Sequence, residues 1–160
     1  MTVAKRQANY LRLTNTHYRV QAHSPSQSAA DSAHAAHVPE SCVVKGVLLK
    51  NRRNGKYLMA LAPASNRLNL GWLRPHTGME LEIAAEEELQ RMFPDCDTGA
   101  VPGFGQAYNV DMIWDEHLAD PDQLYLEAGD HRELIEIDHD DFLQLFGTYP
   151  HACISEPRGG

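Results

Sequence analysis

No stretch of this 160-residue chain approaches the ~20 consecutive apolar residues a membrane-spanning helix requires. The first residues, Met1-Thr-Val-Ala-Lys-Arg-Gln7, have no apolar core of the kind a secretory signal needs, so a cytoplasmic protein with no membrane contact is expected. Cysteine is scarce. Cys42, Cys96 and Cys153 are odd in number and lack metal-type spacing, which fits reduced thiols better than a disulfide framework. There is no Gly-x-Ser-x-Gly elbow, no Gly-Lys-Ser/Thr phosphate loop and no dinucleotide-binding turn after a strand. The chain therefore lacks the common equipment for covalent hydrolysis, nucleotide hydrolysis and hydride transfer. Cationic charge is also in deficit: 14 Lys and Arg stand against 22 Asp and Glu, for a net charge of −8. That balance argues against coating a nucleic acid along its length, though not against gripping its end.

The length suits one domain with a genuine core, predicted over residues 1–147 with a loosely attached C-terminal tail at 148–160. Residues 3–14 form an amphipathic helix with Val3, Gln7, Tyr10, Leu11 and Thr14 on one side. A short strand follows at 18–23, then an alanine-rich helix over 27–37, closed before Pro39. Strands 42–50 and 57–62 pair across the Asn54-Gly55 turn. A short helix at 68–74, a strand at 80–83 and a helix at 84–93 with three glutamates in its first turn come next. The segment 97–105 reads as a loop, and strands are expected near 107–114, 123–128 and 133–137. Asp138 or a neighbour caps a last helix, with Phe142, Leu145 and Phe146 inward and Gly147 at its end. Several of these strands are joined by turns too short for parallel crossovers. The fold class is thus α+β, a mixed, largely antiparallel sheet with surrounding helices.

Lys45 stands where a lysine is costly. Two-residue alternation places it on one face of an apolar strand with Val43, Val47 and Leu49. A buried ammonium must find a partner, shift its pKa or serve a function, unless only its stem is buried. The loop Gly99-Ala-Val-Pro-Gly-Phe-Gly105 can aim N–H groups at an anion or a developing oxyanion, or be a plain turn. His131 lies in a turn between two strands, a common place for solvent-exposed histidines. His34 and His37 are spaced to share a metal but have no evident third ligand, and Asp138-His-Asp-Asp141 is better read as a helix start than as a metal cluster. The basic run Lys50-Asn-Arg-Arg-Asn-Gly-Lys56 is either a solvated hairpin tip or a phosphate contact.

Taken together and in order, Val43-Val-Lys45-Gly-Val-Leu-Leu49, Gly99 to Gly105 and Glu127-Ala-Gly-Asp-His131 resemble the YbaK/ProX family, as do Tyr18 to Ser26 and Ser65 to Leu70. These proteins are free-standing relatives of the prolyl-tRNA synthetase editing domain. The resemblance runs from about residue 5 to 147. It implies a sheet partly closed into a barrel, and a trans-editing aminoacyl-tRNA deacylase that hydrolyses the ester of a mischarged tRNA. It implies no cofactor, no metal and no covalent intermediate; the partners are the aminoacyl-tRNA 3′ end and an aminoacyl-tRNA synthetase. Lys45 matches the essential lysine that binds near the terminal adenosine. Gly99, Ala100, Val101, Pro102, Gly103, Phe104 and Gly105 match the loop bordering the aminoacyl group. Gly129, Asp130 and His131 match a second loop of the same pocket, and His23 and Ser26 a stretch near its mouth.

Two positions depart from the family pattern. Gly103 stands where a proline is usual, with Pro102 before it, and Gly46 stands where a polar Asn or Thr often follows the lysine. Both are expected to remove bulk or a hydrogen-bonding group near the pocket. The alternative to a deacylase is a catalytically silent module that binds tRNA ends, aminoacyl groups or a protein partner. A metal hydrolase built on the histidines is a third reading.

Overall fold

A computed structural model describes residues 3–158. Five α-helices are present among the described residues: α1 (Lys5–Leu13), α2 (Ala29–Ala35), α3 (Leu70–Thr77), α4 (Glu86–Met92) and α5 (His139–Phe146). The strands are β1 (Arg19–Ala22), β2 (Val43–Asn51), β3 (Tyr57–Pro63), β4 (Asn66–Leu68), β5 (Leu81–Ile83), β6 (Asp111–Asp115), β7 (Gln123–Glu127), β8 (Glu133–Asp138), β9 (His151–Ala152) and β10 (Ser155–Pro157). The main sheet runs β1-β8-β7-β2-β3-β6-β9, with β5 added to the far end of β2, while β4 and β10 form a separate pair. The pairs β2–β7, β3–β6 and β6–β9 are parallel and the others antiparallel, so the sheet is mixed as expected.

The expected partial closure into a barrel is corrected by this topology: the sheet is open, ending in β1 and β9. Every residue of β1 is exposed and β9 has only two residues, so neither edge carries the ladder that closure demands.

Alternation along β2 divides the core into two faces. Val44 and Leu48 point into the principal cluster, built with Met59, Leu61, Trp114, Leu126, Phe104 and Phe146. Val43 points the other way, into a small cluster with Ala33, Ala64 and Leu134. Leu49, further along the same face, joins another with Leu58, Leu73, Ile113 and Ile154. Lys45 lies between these two minor clusters, on the face the two-residue period assigns it.

The hairpin tip also finds a role. Asn54-Gly55 makes the turn, with Gly55 at φ 74°. Lys50 bonds Glu88 at 2.8 Å, while Arg52 and Arg53 pair with Glu82 and Glu80 at 3.1 Å. The basic run is thus largely matched by Glu80, by Glu82 of β5 and by Glu88 of α4 rather than presented bare. Asp138 does stand at the start of α5, but its carboxylate bonds Arg19 at 2.8 Å and makes no cap hydrogen bond.

The expectation of a loose tail is corrected as well. Trp114 N–H donates to Pro150 O, β9 continues the sheet beside β6, and β10 pairs with β4. Between them Ile154 is wholly buried, its N–H on Asp115 Oδ2 at 3.0 Å and its carbonyl accepting from Asn69 N–H at 2.8 Å. The segment looked like a tail because it is short and carries no periodicity; its burial comes from contacts distant in sequence. Ile154→Ala is expected to destabilise the protein by about 2–4 kcal/mol in denaturant unfolding, where a loose tail would cost nothing measurable.

Candidate functional site

The strand β2 changes neighbours along its length. It pairs with β7 only at Val43 and Val44, and with β5 only from Leu49 to Asn51. Val43 O accepts from Ala64 N–H on the β3 side, whereas Leu48 O accepts from Ala84 N–H on the opposite edge. Strand alternation therefore aims the N–H and C=O of Gly46 into the gap where β7 has diverged and β5 has not begun.

A cavity of about 220 Å³ occupies this gap. Its wall includes Lys45, Gly46, Gly99, Ala100, Val101 and His131, which the sequence places far apart. Apolar lining comes from Val43, Val47 and Leu134, and polar lining from Ser28, Ser32 and Glu127.

Lys45 Nζ donates to the backbone carbonyl of Asn66 at 2.6 Å. Burial lowers its pKa from the ordinary lysine value, and the positive charge of Arg158 pushes the same way. An ammonium held by one neutral carbonyl retains N–H donors for a ligand oxygen.

The bend at Gly99 has φ 81°, and a Cβ there would point toward His131 Nε2. Ala100 N–H is engaged by Asp97 O, while the amides of Gly99 and Val101 have no partner among the described residues. Val101 crosses above Gly46 so closely that a Cβ on Gly46 would lie 3.0 Å from Val101 Cγ1. His131 sits at φ 58° and ties the two bends together: its Nε2 lies 2.9 Å from Thr98 O, and its Nδ1 faces Glu127 Oε1 at 3.8 Å. Glu127 Oε2 accepts the amides of Gly129 and His131 at 2.8 and 3.3 Å, shaping the second bend. Burial raises the Glu127 pKa, and those two amide bonds and His131 only partly oppose it.

The remaining expected residues lie elsewhere. Pro102, Gly103, Phe104 and Gly105 turn into the protein: Phe104 is wholly buried in the principal cluster, near Tyr10 and Phe146. Gly103 is packed so tightly on Leu126 that a Cβ would fall 2.4 Å from Leu126 Cδ2, so its lack of bulk serves the core rather than the cavity. Gly129 and Asp130 form the second bend without lining the cavity, Gly129 at φ 124° and Asp130 accepting the amides of Arg132 and Glu133. Ser26 stands behind His131, with N–H to His131 O at 3.1 Å and Oγ to Ser32 Oγ at 2.7 Å. His23 continues the β1 edge, donating its N–H to Arg132 O.

Glu127 and Ser32 escape a reading by residue type, the first as a strand-end acid and the second as a mid-helix serine. Gln7 was visible as a polar residue on the inward side of α1. Wholly buried, it receives Phe104 N–H at 3.3 Å and donates to the carbonyls of Glu127 and Ala128, clamping one bend to the other. Cys96 has its thiol pKa pushed up to about 12 by burial, which makes it a poor nucleophile. His34 pairs with Glu40 at 3.3 Å, and His37 ends its turn at φ 58°. A different trio, Asp115, His117 and Cys153, brings ligating atoms within 4.8 Å of one another.

Residues 23–145 match the family model described as the aminoacyl-tRNA editing domain. No match among curated proteins was found. Among solved structures, a protein described as hypothetical superposes with TM-score 0.82 at 21% identity, covering 95% of this chain and 100% of that one. A protein described as a candidate trans-editing enzyme for prolyl tRNA synthetase gives TM-score 0.80 at 24% identity over 96% of both chains. A larger protein from Marinobacter aquaeolei, described as a candidate signal transduction protein, gives 0.68 at 16% identity, covering 86% of this chain and 27% of that one. At these identities the likeness establishes the fold alone. It agrees with a mixed α+β sheet flanked by helices.

Two outcomes are expected here. Gly103→Ala should cost about 1–3 kcal/mol in unfolding experiments, because the methyl meets a packed leucine. The pKa of Glu127 is higher folded than unfolded, so its ionisation removes stability as pH rises from the unfolded value of 4.5 through the folded one. Glu127→Gln, which keeps an acceptor for both amides, should therefore gain stability relative to the parent as pH rises above 4.5 in parallel thermal melts.

Proposed function

The chain belongs to the aminoacyl-tRNA editing domain family, and on that premise we propose that it is a trans-editing deacylase that hydrolyses the ester linking a wrong amino acid to a tRNA 3′ end. The observation that carries the reading is the single cavity lined by Lys45, Gly46, the bend at Gly99 to Val101 and His131.

The chemistry such a site must supply is modest. An aminoacyl ester is already activated, so orienting water, steadying the oxyanion and excluding other acyl groups are sufficient. Lys45 holds the terminal adenosine by a phosphate or ribose oxygen. The amides of Gly99 and Val101 offer donors to the oxygen that gains charge as water adds to the acyl carbon. Collapse breaks the bond to the ribose oxygen, which leaves with a proton, and the amino acid departs as the free acid. The neighbouring ribose hydroxyl assists the water. Close approach of Val101 over Gly46 supports a snug acyl pocket, because the missing side chain at 46, which would meet Val101, Met59 and Leu61, lets the first bend close onto the strand.

The acidic net charge is compatible with a protein that meets only the end of its substrate. Screening deacylation across mischarged tRNAs tests the proposal. Lys45→Ala is expected to lower kcat/KM for the preferred substrate on the order of 10²-fold or more, the scale for losing one preorganised charge-stabilising donor. Near-normal turnover by that variant overturns the assignment of Lys45. Binding of mischarged tRNA without hydrolysis of any would move the chain to the silent-module reading.

A further inference from the structure

The carbonyl that receives the Lys45 ammonium belongs to a buried chain of hydrogen bonds that leads out of the cavity and into the C-terminal segment. Asn66, whose carbonyl lies 2.6 Å from Lys45 Nζ, is 8% exposed. Its side-chain Nδ2 donates to Ser155 Oγ at 3.0 Å. Ser155, itself 2% exposed, donates from Oγ to Asp115 Oδ2 at 2.7 Å. Asp115 is wholly buried, and its carboxylate is saturated. Oδ2 also accepts Ile154 N–H at 3.0 Å, and Oδ1 accepts His117 N–H at 2.8 Å and faces His117 Nδ1 at 2.7 Å. Burial alone would raise the Asp115 pKa, but these bonds outweigh it and hold the carboxyl below its ordinary value. The contact of Asp115 with His117 and Cys153 is therefore better explained as an anchor than as a vacant ligand set, since no lone pair is left over.

The same anchor organises the backbone around it. β10 pairs Ser155 with Leu68 and Pro157 with Asn66, Asn69 N–H donates to Ile154 O, and Arg158 N–H donates to Ser65 O at 3.2 Å. All of these contacts come from residues beyond position 145, where the family match ends.

We infer that Ser155 is a positioning residue for Lys45: with Asp115 behind it and Asn66 before it, the β10–β4 pair fixes the carbonyl that holds the ammonium at the cavity wall. The physical logic is that a lysine stem has four rotatable bonds and loses its preferred geometry unless its tip is tethered. A carboxylate tether would neutralise the charge that a ligand needs. A carbonyl orients the ammonium and leaves it charged, provided the carbonyl cannot move. Other charged groups around the amine are Arg158, which is paired with Glu40, and Glu127 and His131, which line the same cavity.

The inference rests on the deacylase reading only for its kinetic arm, and the test separates the two. Lys45 labelling by reductive methylation, read by mass spectrometry, is compared in the parent, Ser155→Ala, Asn66→Ala and Ser155→Thr, with exposed Lys56 as internal control. Loss of the tether is expected to raise the labelling rate at Lys45 about threefold or more, as local opening does, and to leave Lys56 unchanged. With the preferred mischarged tRNA, kcat should fall about tenfold in Ser155→Ala with KM within about twofold, and the retained hydroxyl of Ser155→Thr should restore both readouts. Unchanged Lys45 labelling in both alanine variants overturns the inference whatever kcat does. Raised labelling in a protein whose parent form deacylates nothing upholds the tether and overturns the deacylase reading instead.

Discussion

An ammonium placed between two apolar clusters constrains much of this molecule. Lys45 extends from the face of β2 that carries Val43 and Leu49, and its desolvation lowers its pKa. The fold answers with a single neutral carbonyl at 2.6 Å rather than an acid. A nearby carboxylate would have been the stronger partner, but a buried ion pair recovers desolvation only with excellent geometry and leaves less charge to bind anything else. The arrangement therefore keeps a cation at the cavity wall at the cost of some stability, as sites built for binding or chemistry commonly do.

What makes room for a ligand beside that cation is a defect in sheet pairing. β2 exchanges β7 for β5 between Val44 and Leu49, and Gly46 sits in the interval with its backbone groups turned outward. Two bends close over the interval, one at Gly99 to Val101 and one at Gly129 to His131. Their relative position is set by His131 reaching Thr98 O, by Glu127 gathering the amides of the second bend, and by Gln7 bridging from α1. Rigid helices and strands thus hold loops whose own local preferences are weak, a common division of labour in binding sites.

Several elements could be read from local pattern because local chemistry forms them. The Asn54-Gly55 hairpin, the two-residue alternation of β2 and the inward trio Phe142, Leu145 and Phe146 of α5 follow from turn propensity and periodicity. The short strands β4, β9 and β10 gave no such signal, because two or three residues carry no period and their partners lie far along the chain. The glycine–proline loop was legible as a loop but not in its direction. Its first three residues meet the cavity, while Gly103 and Phe104 face Leu126 and the aromatic core. Barrel closure failed for a related reason, since whether two edges meet depends on their length and exposure rather than on the strands between them.

By itself the amino-acid order determined that this chain forms helices and paired strands, that one lysine stands among aliphatic side chains, and that two glycine-bearing bends are available to meet it. Those properties depend on neighbours within a few residues, and the ordered motifs carried the family resemblance with them. Only tertiary structure decided which bend residues face the lysine, that His131 and Gln7 join the bends, and that Asp115, Ser155 and Asn66 stand behind the ammonium. Hydrogen bonds spanning 21 to 121 positions carry that information, and no window of a few residues contains both partners of any of them.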